Sequence, residues 1–117
     1  MFLMALEREA FIFFALVGGK TSRIILRQAL ERYMLRLEVL DKEMDVSSMD
    51  LSKAINQSMI IVQGLGRIGR PKDVAMLEQL RNRLNNLSTL PTSEGVKVCI
   101  SGLFSQLSRA IKAIQNG

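Results

Sequence analysis

Residues 64–69 have the types and spacing of a loop that binds phosphate. Gly64-Leu65-Gly66-Arg67-Ile68-Gly69 matches the pattern G-x-G-x-x-G. Where this pattern follows a β-strand and precedes a helix, its glycines permit a tight turn, and the backbone approaches a pyrophosphate at the N-terminus of that helix. Whether such chemistry is available here depends on the elements on either side of the segment.

The neighbouring residues do not supply those elements. The hexapeptide resembles the phosphate loop of nicotinamide-dependent 2-hydroxyacid dehydrogenases, and the resemblance implies a strand at 59–62 and a bound dinucleotide. Pro71, however, falls where the helix of that family needs backbone N–H donors. The segment 87–91 has no acidic residue for a ribose, and the chain lacks the further strands of a parallel sheet. We therefore predict a glycine-rich connector between two helices and no cofactor.

The cations around this connector suggest a different chemistry. Arg67, Arg70 and Lys72 stand just before a predicted helix, whose free N–H groups and dipole favour anions. Residues 61–117 carry eight Lys/Arg against three Asp/Glu, whereas residues 1–60 are balanced. This asymmetry indicates a surface for phosphates or for an acidic partner. The candidate anion or nucleic-acid contacts are Arg67, Arg70, Lys72, Arg81 and Arg83, followed by Lys97, Arg109 and Lys112.

Most common hydrolase and metalloenzyme chemistry is excluded by composition. The chain has no His and one Cys, which removes His-based zinc sites, Ser-His and Cys-His pairs and an intramolecular disulfide. Residues 18–22 have the order of a P-loop tail, but Phe14 stands where the first glycine of that motif belongs. Cys99 is expected to be a small core residue. We predict a protein that is not an enzyme and has no catalytic, metal or cofactor site.

The apolar residues recur at helical spacing along nearly the whole chain. They predict one all-α domain over 1–117, a compact bundle of about five helices with antiparallel neighbours and heptad-like apolar seams. The first helix covers 2–17 and ends at Gly18-Gly19, and the second runs from an N-cap at Thr21 or Ser22 to Met44. The third starts at Ser47 or Ser48, with a strand at 59–62 as the alternative, the fourth has Pro71 in its first turn, and the fifth opens at Ser93. The predicted seams are Leu26, Leu30, Tyr33, Leu37, Leu40 and Met44; Leu51, Ala54, Ile55, Met59, Val62 and Leu65; Leu77, Leu80, Leu84 and Leu87; and Val96, Ile100, Leu103, Leu107, Ala110 and Ile114.

Two finer expectations concern a contact between helices and the ion pairs on the second helix. Gly102 costs helix stability relative to Ala, and we interpret it as the site of a close helix crossing. Arg27 with Glu31, and Glu38 with Lys42, have the i,i+4 spacing of ion pairs on the outer side of the second helix.

The first helix is apolar around nearly its whole circumference. Such a helix lies at the centre of a fold or meets another chain, and its lack of a polar face argues against docking on a membrane surface. The apolar run 10–17 is too short to span a bilayer, and the N-terminus lacks the features of a secretory signal, so we expect a cytoplasmic protein. The candidate self-association residues are Phe2, Leu6, Phe11, Phe13, Phe14 and Val17.

Taken together, these features predict association rather than catalysis. The leading hypothesis is a non-enzymatic subunit that binds itself or another protein through the first helix. The alternative is a nucleic-acid-binding accessory protein that uses the basic C-terminal half.

Overall fold

Helices make up almost all of the described chain, as the apolar spacing predicts. The computed structural model describes residues 2–42, 48–87 and 94–116, and the side chains of 8–39, 52–87 and 97–116. No strand occurs within these ranges, so the alternative of a strand at 59–62 is wrong. The helices are α1 (Phe2–Val17), α2 (Gly19–Lys42), α3 (Ser48–Ile68), α4 (Val74–Leu87) and α5 (Glu94–Asn116), with a 3-10 turn at Pro71–Asp73 before α4.

Helix α3 lies at the centre and packs against α1, α2 and α5. Contacts pair Met59 with Gly102 and Gly66 with Ala110, so α3 and α5 run in the same direction. Helix α1 follows the same direction, because Ala15 lies against Gly64 while Gly18 lies against Ile68. These three helices form one layer of the bundle.

Helices α2 and α4 form the second layer. Arg27 contacts Met76 and Glu38 contacts Arg83, so these two helices also run in a common direction. Helix α4 is antiparallel to α5, because Gly69, before α4, lies near Ile114, whereas Arg81 reaches back to Ser108. Two layers of helices are consistent with the shortest dimension of the molecule, 18 Å.

The predicted seams form the core wherever their side chains are described. Within α2, α3, α4 and α5 the described seam residues are buried, apart from the partly buried Tyr33, Met59 and Leu87 that pack against them. Leu40, Met44, Leu51 and Val96 lie outside the described side chains. The buried seam residues are Leu26, Leu30, Leu37, Ala54, Ile55, Val62, Leu65, Leu77, Leu80, Leu84, Ile100, Leu103, Leu107, Ala110 and Ile114.

The boundary between α1 and α2 differs from the prediction. Helix α2 begins at Gly19, so Thr21 and Ser22 lie inside it and neither is an N-cap. Gly18 and Gly19 have φ angles of +72° and +90°, which L side chains rarely adopt. The backbone N–H of Gly18 donates to the carbonyl of Phe14 at 2.9 Å, as at the end of a helix. The chain therefore changes direction within two residues and needs no capping loop.

Candidate functional site

The hexapeptide 64–69 is the end of a helix rather than a connector. Residues 64–68 are helical, and only Gly69 and Arg70 separate α3 from the 3-10 turn. The backbone N–H of Gly69 donates to the carbonyl of Leu65 at 2.7 Å and so continues the helical pattern for one more residue. The prediction of a glycine-rich connector is wrong, because the apolar spacing of α3 continues through Leu65 and Ile68. A helix, not a strand, leads into the motif.

The glycines of the motif let neighbouring helices approach α3. A Cβ atom added to Gly64 would lie 3.0 Å from the Cβ of Ala15 in α1, and one added to Gly66 would lie 3.2 Å from the Cα of Ala110 in α5. Both distances are shorter than ordinary van der Waals contact. Gly102, by contrast, would place a Cβ 3.6 Å from the flexible end of Met59. The close approaches to neighbouring helices are therefore at glycines of the motif and not at Gly102, so the expectation for Gly102 is wrong.

The three cations predicted around the connector are exposed. In the described part of the chain, the side chains of Arg67, Arg70 and Lys72 make no ion pair or hydrogen bond. The helix start behind them already holds an anion. Asp73, which is 1% exposed, accepts a hydrogen bond from the backbone N–H of Arg70 at 2.8 Å. Its other carboxylate oxygen lies 3.1 Å from Nη1 of Arg27, so this carboxylate is paired within the bundle.

Arg81 and Arg83 connect helices to one another. The guanidinium of Arg83 donates to Glu31 at 2.8 Å and makes a two-point contact with Glu38, both on α2. The hydrogen bond to Glu38 is the main reason that the pKa of Arg83 is raised above its ordinary value. Arg81 donates to Oγ of Ser108 at 3.3 Å and lies 6.0 Å from the ring centroid of Phe104. Of the five predicted anion contacts, these two are engaged within the bundle.

The Arg27–Glu31 pair expected on α2 is replaced by ion pairs between helices. Arg27 forms its ion pair with Asp73, and Glu31 forms its ion pair with Arg83. Glu38 also contacts Arg83, while the side chain of Lys42 lies outside the described residues. A groove of about 360 Å³ beside these pairs is lined by Ile24, Arg27, Gln28, Glu31 and Met76. Its two charged groups are therefore already neutralised by other residues.

The parallel layer brings cations from distant parts of the chain to one end of the bundle. Gly18 lies against Ile68 and Gly69 lies near Ile114, so α1, α3 and α5 end together. Helix α2 and the turn before α4 start at the same end. We call the exposed cations at this end the basic end: Lys20, Arg67, Arg70, Lys72, Arg109 and Lys112.

Acidic groups are scarce at the basic end. Among the described residues, the acids on this side of the bundle are Asp73, buried against Arg27, and the half-buried Glu78 in the second turn of α4. None of the six cations makes an ion pair within the described ranges. Lys20 was not predictable as a member of this surface, because it belongs to the half of the chain whose charge is balanced.

The exposed surface of α1 is narrower than the sequence indicates. Phe11 is 5% exposed and packs its ring edge-on against Tyr33, with 6.2 Å between centroids, so it is a core residue and not an exposed association residue. Phe14 is partly buried and packs against the core. Phe2 and Leu6 lie outside the described side chains. Of the six predicted residues, Phe13 and Val17 are the two that the structure shows to be exposed.

Ile12 and Leu16 complete this exposed surface. Together with Phe13 and Val17 they occupy positions i, i+1, i+4 and i+5, which fall on one side of a helix. Their exposed fractions are 42% for Ile12, 60% for Phe13, 64% for Leu16 and 62% for Val17. We call these four residues the α1 face. The sequence marks α1 as apolar all round and so does not indicate which side remains exposed.

Comparison of the chain with known protein families, with curated proteins and with solved structures gives no match. No described helix is long and apolar enough to cross a membrane. The described residues also contain no group of three or more His, Cys, Asp and Glu that could hold a metal ion. Cys99 is half-buried, with its Sγ 3.9 Å from Oγ of Ser52. The α1 face and the basic end are therefore the two surfaces from which a function can be argued.

Proposed function

We propose that this protein is a non-enzymatic subunit that associates with a second copy of itself through the α1 face. The observation that carries the proposal is the exposure of four large apolar side chains on one side of a single helix. Scattered apolar residues are normal on protein surfaces, whereas a contiguous apolar patch marks a contact site. The ring of Phe13 packs edge-on against Phe14, at 5.9 Å between centroids, which limits its freedom before association.

The charges that flank the α1 face favour a second copy as the partner. Glu9 is exposed one turn before Phe13, and Lys20 is exposed just after the helix ends. When two α1 helices pack antiparallel about a two-fold axis, Glu9 of each copy comes near Lys20 of the other. Such a contact repeats the same favourable charge pair on both sides.

The size of the α1 face predicts a reversible dimer. Burying a Val, Leu, Ile or Phe side chain completely contributes roughly 1.5 to 3 kcal/mol. Scaled by the exposed fractions above, one α1 face contributes roughly 3 to 7 kcal/mol, and a two-fold dimer buries two of them. Association costs roughly 4 to 15 kcal/mol in rigid-body freedom. Because this gain and this cost are of similar size, we expect a reversible dimer rather than a permanent assembly, and the micromolar range is where its dissociation constant should be sought.

Sedimentation equilibrium of the full chain at about 1 to 100 μM tests this proposal. We expect a monomer–dimer equilibrium for the unchanged chain. The double variant Phe13→Glu/Val17→Glu places two like charges within the contact of each copy, so we expect it to be monomeric over the whole range. Circular dichroism of both chains verifies that helix content is retained.

A matched control is available on α2. Leu35 and Val39 are also exposed, at 51% and 56%, and have the same i,i+4 spacing as Phe13 and Val17. We expect Leu35→Glu/Val39→Glu to dimerise like the unchanged chain. The proposal is wrong if the unchanged chain is monomeric at about 100 μM. It is also wrong if the control variant loses dimerisation to the same extent.

A further inference from the structure

We infer that the basic end binds the phosphate backbone of a nucleic acid without reading its sequence. The inference uses residues outside the α1 face and does not depend on self-association. Its basis is the convergence at one end of the bundle of six exposed cations from three separate segments of the chain, with the acids of that end either buried and paired or partly buried. Phosphate contacts of this kind supply most of the affinity in sequence-independent binding.

The other exposed residues at this end suit phosphate contacts. Thr21, Gln115 and Asn116 are exposed there, and hydroxyl and amide groups commonly donate to phosphate oxygens. Three of the six cations are arginines, whose planar guanidinium can donate two hydrogen bonds to one phosphate. No aromatic residue at this end is exposed in the described part of the chain, so bases have no platform on which to stack. We therefore expect this surface to contact the phosphate backbone of the nucleic acid and not its bases.

The position of the cations favours a nucleic acid over a lipid surface. Lipid docking combines inserted apolar side chains with cations on the same plane. Here the exposed large apolar residues near this end are Leu16 and Val17, which belong to the α1 face along the side of the bundle. The cations occupy the end, where α1, α3 and α5 terminate. The carbonyl ends of these three helices, with their partial negative charge, also favour cations at this position.

Fluorescence anisotropy with a labelled random-sequence DNA duplex of about 20 base pairs tests the inference at about 50 mM salt. We expect binding that weakens steeply as salt rises. Arg67→Glu/Arg70→Glu should reduce affinity at least about tenfold and lower the slope of log K against log salt by about 2, one for each lost phosphate contact. Arg67→Gln/Arg70→Gln removes the same two cations but introduces no acid at the end of α3. We expect it to show the same change in slope, which separates the loss of phosphate contacts from a disturbance of the helix by Glu.

The decisive variant is Arg109→Glu/Lys112→Glu. These two residues are in α5 and are separated from Arg67 in the chain by the whole of α4, but they lie at the same end of the bundle. We expect it to weaken binding as much as Arg67→Glu/Arg70→Glu does. The matched control is Arg32→Glu/Arg36→Glu, which changes net charge equally at exposed positions further along α2. We expect the control to retain most of the affinity. Lys20 stays unchanged in every variant, because it also flanks the α1 face.

Four results would overturn the inference. The first is the absence of duplex binding at about 50 mM salt. The second is an equal loss of affinity in the Arg32/Arg36 control, which would indicate net charge rather than a surface. The third is tighter binding to vesicles containing phosphatidylserine than to DNA, which would indicate a lipid surface. The fourth is binding to polyglutamate as tight as binding to DNA, which would indicate an acidic protein partner.

Discussion

Two glycine segments of this chain perform opposite tasks. Gly18 and Gly19 have positive φ angles, and a Cβ added to Gly19 would meet nothing within 4 Å. Gly64 and Gly66 have ordinary helical backbone, but a Cβ at either would press against a neighbouring helix. The first pair supplies conformational freedom and the second pair supplies space. Glycine alone therefore indicates neither a turn nor a phosphate loop.

The largest change in the free energy of unfolding is expected where a glycine leaves space for a neighbouring helix. In Gly66→Val the new side chain meets the backbone of Ala110, which cannot move without shifting α5. We expect the free energy of unfolding to fall by about 2 to 3 kcal/mol, measured by urea denaturation. Ala113→Val, at an exposed position of α5, is the control and should lower stability by less than about 1 kcal/mol, the difference in helix propensity between Ala and Val. Equal stability of the Gly66 variant and the unchanged chain would contradict the assignment of a close crossing.

A smaller loss of stability is expected where a glycine adopts a positive φ angle. Gly18→Ala retains the available space, since the nearest atom to the added Cβ is 3.8 Å away, but forces a side chain into the left-handed region. We expect a loss of about 1 to 2 kcal/mol in thermal or urea unfolding. Gly18→Asn should lose less, because Asn tolerates this conformation better than Ala. If Ala and Asn behave alike, the positive φ is not what the position requires.

The smallest change is expected at Gly102, where a substitution should increase stability and not decrease it. Its backbone is helical, and the added Cβ would make an ordinary contact with the flexible end of Met59. Gly102→Ala should raise the free energy of unfolding by up to about 1 kcal/mol, through the higher helix propensity of Ala. The measurement is again the urea midpoint. A loss of stability would show that α3 and α5 approach each other at this position as closely as they do at Gly66.

The two surfaces differ in how far the sequence anticipates them. The apolar side chains of Phe13 and Val17 are predictable as contacts from the composition of α1, but Phe11 has the same local pattern and is buried. Arg67, Arg70 and Lys72 are predictable as a cluster, because they lie within six residues of one another. Arg83 has the same charge, and only its position opposite Glu31 and Glu38 makes it an interhelical link. Residue type identifies candidates, and the neighbouring helix decides which of them remain exposed.

The sequence by itself determines the helices and their buried sides. Seams such as Leu77, Leu80 and Leu84 are local patterns, since the period of a helix alone places these side chains on one face. Tertiary structure decides what each helix meets. It turns the hexapeptide at the end of α3 into a packing site, leaves one side of α1 uncovered and brings Lys20 and Lys112 to the same end as Arg67. These outcomes depend on contacts between residues far apart in the chain, and no local spacing encodes such contacts.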